Sequence, residues 1–193
     1  MTVHKVRLHG RGGQGAVTAA KNLAPAIYRE QRNVQAVPAF GVERRGAPVE
    51  AYLKFTDDLD ERIPTRTYVH EPEYLIVMDD SLIGSVDADD VFRGVKDGGT
   101  LILNTNETPE GVVDRNDITI ATIDAGVVAD EILGRTNIVN TVMLGGFASA
   151  TDVVSMDNIV EAIRERFPDD IEDQNVKAAQ KGYERTDIVA TVP

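Results

Sequence analysis

Residues 3–9 form a short strand-like run with Val3, Val6 and Leu8, and a helical repeat takes over behind it. Ala16, Ala19, Ala20, Leu23 and Ile27 fall on one helical face, which predicts a helix over 16–29. Pro25 interrupts that repeat; mid-helix it removes a hydrogen bond and costs about 3 kcal/mol unless the helix kinks or breaks there. Residues 34–38 read as a second strand, and the alternation over 48–55 reads as a third. Residues 56–66 are polar and read as surface loop. Leu75-Ile-Val-Met78 is a continuous apolar run, as expected of a strand buried on both faces. Thr100–Asn104 follows a Gly98-Gly99 turn, and 118–123 alternates; both read as strands.

From 127 onward the pattern turns helical. Helices are expected over 127–133 with Gly134 as the stop, over 141–150, over 156–167 and over 175–183. Strands interleaved with helices predict an α/β fold, a three-layer Rossmann-like sandwich. The second and third strands are joined by a loop alone, so the sheet is expected to be mixed: mostly parallel, partly antiparallel. With 193 residues, one domain over 1–193 is the expectation, its C-terminal third mainly helical.

Charge and cysteine content narrow the function. The net charge of −12, with no basic stripe, argues against nucleic acid as a partner. Cysteine is absent, so the chain has no disulfide, no thiolate nucleophile and no thiolate ligands for an iron–sulfur cluster. If it serves a redox reaction, another chain carries the electrons. No secretory signal precedes the first strand and no apolar run is long enough to span a bilayer. A cytoplasmic protein without membrane partners is expected.

The candidate chemistry centres on Gly10-Arg-Gly-Gly-Gln-Gly15, between the first strand and the first helix. Its glycines let the backbone turn sharply and approach another molecule closely. The helix start behind them offers unpaired N–H groups and a partial positive charge, which suits a phosphate. Three readings stand at this point. One is a plain strand-to-helix turn. The second is a dinucleotide site, since Gly10-x-Gly12-x-x-Gly15 satisfies the fingerprint. That site wants an acid about 20 positions on, where Gln35 stands, and Glu30 comes too early. The third is a phosphate-bearing cofactor of another kind, with charge added by Arg11, Arg44 and Arg45. A P-loop is ruled out because no Gly-Lys-Ser or Gly-Lys-Thr follows.

The segments 10–23 and 38–48, Gly-Arg-Gly-Gly-Gln-Gly-Ala-Val-Thr-Ala-Ala-Lys-Asn-Leu and Pro-Ala-Phe-Gly-Val-Glu-Arg-Arg-Gly-Ala-Pro, resemble the gamma subunit of 2-oxoacid:ferredoxin oxidoreductases. Val69–Asp79 fits the same pattern, in the same order and spacing. The resemblance implies a subunit of an enzyme that oxidatively decarboxylates a 2-oxoacid to acyl-CoA and carbon dioxide. It implies thiamine diphosphate bound by alpha and beta partner subunits. It implies [4Fe-4S] clusters in partner subunits, among them a ferredoxin-like delta subunit. Coenzyme A is then the ligand held in part by this chain. On that reading Gly12, Gly13, Gln14 and Gly15 offer backbone donors to a coenzyme A phosphate, and Gly10 is counted with them in the binding loop. Arg11, Thr18 and Lys21 add side-chain donors, and Arg44 and Arg45 face either phosphate or a neighbouring subunit.

Other candidates are weighed against plainer roles. Asp79 and Asp80 end a buried strand, where α/β proteins place ligands; capping the next turn is the favoured role. His9 is expected to be a satisfied strand-end histidine. His4 and His70 show no metal-ligand spacing, and Glu43 is expected to pair with Arg44. No catalytic residue and no metal ligand is nominated. Two rivals to the oxidoreductase reading remain: a stand-alone nucleotide-binding domain and a purely structural assembly subunit.

Overall fold

The structure is a computed structural model, and it describes residues 2–38, 46–63, 66–82, 91–107 and 117–190. Arg44, Arg45 and Glu43 lie outside the described residues. Among the described residues seven strands form one sheet: β1 (His4–Arg11), β2 (Val34–Pro38), β3 (Pro48–Phe55), β4 (Tyr74–Val77), β5 (Thr100–Asn104), β6 (Thr119–Ile123) and β7 (Asp187–Ala190). Their spatial order is β2-β3-β1-β4-β5-β6-β7. The helices are α1 (Ala16–Arg29), α2 (Ala125–Leu133), α3 (Asn140–Ala150), α4 (Met156–Arg166) and α5 (Asp169–Glu184).

The sheet is mixed, as the sequence predicts. β1, β4, β5 and β6 pair in parallel. β3 lies antiparallel between β1 and β2, and β7 closes the far edge antiparallel to β6. The chain leaves β1 towards β2 and leaves β4 towards β5. The strand order therefore reverses between β1 and β4, and a crevice opens at their carboxyl ends. That is where open α/β sheets hold ligands.

Alternation along β1 sorts the core. Val6 and Leu8 face α1 and α3, in one cluster with Ala19, Leu23, Ile27, Ile76, Met78 and Phe147. Leu75, Val77, Leu101 and Leu103 face the other way, with Leu82, Val91 and Val95. Arg7 shares that second side and donates Nη2 to the carbonyls of Val91 and Arg93 at 2.7 and 2.8 Å.

Pro25 does not break α1. It lies inside a helix that runs unbroken to Arg29, because the opposite face is anchored by Leu23, Ala26 and Ile27, all fully buried. Packing there outweighs the lost bond. Glu30 then clamps the helix end to α4: its Oε1 accepts from Ser155 N, Ser155 Oγ and Asn158 Nδ2 at 2.7–2.8 Å. Burial resists ionisation of this carboxyl, but the hydrogen bonds from Ser155 and Asn158 win and hold it below its ordinary range.

Two elements depart from the pattern. α5 begins at Asp169, a full turn and more before the predicted start, since its polar first turn carries acids suited to a helix N-terminus. β7 is absent from the sequence reading, whose last element is the helix over 175–183. Helix α3 is buried on nearly every side. It crosses α5 at Gly145 and Gly182, where a Cβ would fall 1.9 Å from Ala179 O and 2.2 Å from Val142 O. Only glycine permits that backbone approach.

Candidate functional site

Loop 10–15 lies at the crevice between β1 and β4. Gly13 and Gly15 hold φ of +102° and +89°, values that favour glycine. The loop is fastened to the start of β3: Gly12 N donates to Ala47 O at 2.8 Å and Gly46 N to Gly12 O at 3.1 Å. The described end of the segment 38–48 thus meets the glycine segment.

Helix α1 opens directly behind. Its first backbone bond runs from Ala19 N to Gly15 O at 2.7 Å, and no side chain caps it. The N–H groups of Ala16, Val17 and Thr18 precede that bond and point out of the helix end. Gly13 N and Gly15 N likewise meet no acceptor among the described residues. A Cβ on Gly13 would meet nothing within 4 Å, so this face of the loop is open among the described residues.

The predicted donors divide. Gly12 N and Gln14 N are already engaged, the latter with Arg11 O at 3.1 Å. Gly10 is packed by the Gln14 side chain, Met78 and Ala16. Arg11 turns inward: Nε lies 3.4 Å from Asp79 Oδ1 and 2.9 Å from Ser81 Oγ, while Nη1 donates to Gly46 O at 3.1 Å. Gln14 donates Nε2 to Asp79 Oδ2. Thr18 is half-buried and Lys21 exposed on α1. Thr18 stands in the first turn of α1 behind the loop, and Lys21 one turn further along the helix.

Asp79 caps as expected, accepting Ser81 N at 3.1 Å ahead of a single 3-10 turn, Asp80–Leu82. It also joins Gln14 and Arg11, a role that spacing does not reveal. His9 differs from expectation. It is buried, Nδ1 is 3.6 Å from Glu50 Oε1, and Nε2 has no partner. Burial drives its pKa down to about 4, against the pull of Glu50 and with help from Arg7. Beside it Tyr52 donates its hydroxyl to Glu50, and burial with that bond pushes the phenol up.

Next to the loop a cleft of about 320 Å³ is walled by Gln14, Asp79, Asp80, Asn104, Asp124 and Asn137, among others. Asn104 braces it, donating to Met78 O at 2.8 Å and accepting Ala125 N at 2.9 Å. Asn140, at the start of α3, packs on Gly15, where an added Cβ would come within 3.1 Å of its amide. Its Oδ1 is buried and unpartnered. The sequence reading misses both asparagines. Asn104 ends a buried strand as Asp79 does, which was a usable signal; Asn140 carries none.

Residues 5–185 match the family described as Pyruvate ferredoxin/flavodoxin oxidoreductase. The chain belongs to this family. It is 48% identical over 181 residues to pyruvate synthase subunit PorC of Methanothermobacter marburgensis, covering 94% of this chain and 96% of that one. It is 44% identical over 185 residues to the pyruvate/ketoisovalerate oxidoreductases common subunit gamma of Thermococcus litoralis, again covering 94% and 96%. The crystal structure of pyruvate oxidoreductase subunit PORC from Thermotoga maritima superposes with a TM-score of 0.81 at 30% identity, over 98% and 99% of the two chains. The fold recurs, at 16% identity and a TM-score of 0.75, in a 2-oxoglutarate:ferredoxin oxidoreductase from Magnetococcus marinus, where it spans 33% of the chain. The resemblance drawn from segments 10–23, 38–48 and 69–79 is therefore right. This pyruvate oxidoreductase family member is a gamma-type subunit of a multi-subunit 2-oxoacid ferredoxin oxidoreductase. No helix among the described residues is long and apolar enough to cross a membrane.

Proposed function

We propose that this gamma subunit helps hold coenzyme A while its partners oxidatively decarboxylate a 2-oxoacid to acyl-CoA and carbon dioxide. The observation that carries this is the uncapped start of α1, with Gly13 N, Gly15 N and the N–H groups of Ala16, Val17 and Thr18 meeting no acceptor among the described residues. Such a cluster suits a phosphate. The Magnetococcus enzyme that shares the fold was solved with coenzyme A and succinyl-CoA bound, which fits this ligand class.

Not every nominated residue fits equally. Gly13, Gly15, Thr18 and Lys21 would hold phosphate. Arg11 stabilises the loop rather than the ligand, because its guanidinium is engaged by Asp79 and Ser81. Gly10, Gly12 and Gln14 shape the turn. The cleft carboxylates of Asp79, Asp80 and Asp124 repel phosphate, so phosphate belongs on the helix side. When bound, the thiol of coenzyme A takes up the acyl group; this chain binds, orients and excludes water. Thiamine diphosphate and [4Fe-4S] clusters belong to alpha, beta and delta partners, consistent with the lack of cysteine here. Arg44 and Arg45 serve the phosphate or a subunit boundary.

The test is steady-state kinetics of the co-expressed complex carrying Gly13→Ala or Lys21→Glu. A rise of about tenfold in KM for coenzyme A, with kcat little changed, is expected for lost ground-state binding. An unchanged KM in both variants favours a purely structural subunit, the reading that the inward-turned Arg11 supports. Isolation of the native chain as a lone monomer without thiamine- or cluster-bearing partners would refute the complex-level reading.

A further inference from the structure

We infer that the β2 edge of the sheet is a docking strand for an extended, carboxylate-bearing segment of another subunit. β2 ends the strand order and has β3 on one side only. Thr56 N donates to Asn33 O at 3.0 Å, directly opposite it in the register. Antiparallel pairs alternate, so the backbone groups of Gln35 and Val37 turn towards β3 and those of Val34 and Ala36 turn outward. Neither Val34 N nor Ala36 N has an acceptor among the described residues. A free edge of this kind is a template for another chain.

The edge also has a formed groove. A cavity of about 390 Å³ runs beside it, lined by Asn33 to Ala36 and by Arg62, Ile63 and Arg66. Asn33 Nδ2 holds the far wall by donating to Glu61 O at 2.7 Å. Glu61 turns one carboxylate oxygen, Oε2, into the interior. Among the described residues no carboxylate lines the groove. Arg62 and Arg66 are exposed and pair with none among the described residues. In a chain of net charge −12, two guanidiniums that meet no carboxylate among the described residues, beside a strand edge unpaired among them, select an acidic occupant. Main-chain bonds to Val34 and Ala36 would give affinity, and the arginines would give specificity. A second copy of this chain offers its own Arg62 and Arg66 to the same groove, which disfavours β2 pairing with itself. The occupant is therefore a partner subunit.

Amide hydrogen exchange on the intact co-expressed complex tests this. Val34 and Ala36 should exchange on the order of a hundredfold slower than unstructured amides, because the occupant accepts from them. In the complex carrying Arg62→Glu and Arg66→Glu that protection should be lost, while Gln35 and Val37, bonded to β3, stay protected and report an intact fold. Unprotected Val34 and Ala36 in the native complex would overturn the proposal, as would protection that survives charge reversal. A zero-length carboxyl-to-amine crosslink through the Arg66→Lys variant identifies the occupant. An Asp or Glu peptide from another subunit supports the proposal, and a peptide of this same chain refutes it. Neither result depends on where coenzyme A binds.

Discussion

Gln14 and Asp79 join across the crevice, side chain to side chain, linking the loop behind β1 to the end of β4. Asp79 simultaneously accepts Ser81 N at 3.1 Å and faces Arg11 Nε at 3.4 Å. One carboxylate therefore sets the shape of the loop. Asp79→Ala removes the acceptor shared by Gln14, Ser81 N and Arg11 and should destabilise the chain by about 1–3 kcal/mol. Thermal unfolding measures this. Asp79→Asn should cost less, since its amide oxygen still accepts from Gln14; equal losses would show that the carboxylate contacts are not the cause.

The two positive-φ glycines should differ in cost. Gly13→Ala meets backbone strain alone, about 1–2 kcal/mol, because its Cβ would meet open space. Gly15→Ala meets similar strain and also crowds Asn140 at 3.1 Å. Urea denaturation should rank Gly15→Ala as the less stable of the two. The reverse order would mean that Asn140 yields freely.

At the α3–α5 crossing the obstacle is backbone, not a movable side chain. Gly145→Ala or Gly182→Ala should cost about 3 kcal/mol or more. Soluble yield and unfolding midpoint read the effect. A near-neutral result at both positions would show that the two helices can separate without loss.

His9 makes stability fall in acid. The folded chain keeps the imidazole neutral down to about pH 4, whereas the unfolded chain protonates it near pH 6.5. The unfolded state therefore binds more protons between these values, and stability falls as pH drops from 6.5 towards 4. The contribution is on the order of 3 kcal/mol in total. Below pH 4 it is spent. His9→Gln should flatten this part of the stability profile, measured by denaturation from pH 7 to pH 4. A His9→Gln profile parallel to that of the parent chain would refute the assignment.

Much of the architecture was legible in residue periodicity. Strands over 34–38 and 48–55 and the helix over 16–29 appear within those bounds, because their apolar faces repeat cleanly. Gly134 stops α2 in the left-handed conformation, as a terminal glycine should. The early turn of α5 was hidden because Asp169–Asp173 bears few apolar positions, and helix-end electrostatics had to be weighed instead. β7 was hidden because pairing with β6, not pattern, makes Asp187–Ala190 extended. At the site, local sequence identified the glycine loop and Asp79. It could not reveal that Arg11 folds back, that His9 Nε2 is buried without a partner, or that Asn140 lies against Gly15, since those depend on contacts between distant segments.

The packing of Asn140 on Gly15 joins the loop behind β1 to a helix far along the sequence. During synthesis the residue that backs the glycine loop emerges long after the loop itself. A nascent chain can therefore make β1 and α1 without a finished crevice. A truncated product that stops before α3 would carry the recognisable glycine segment and still lack this wall. The finished shape of the loop thus waits on α3.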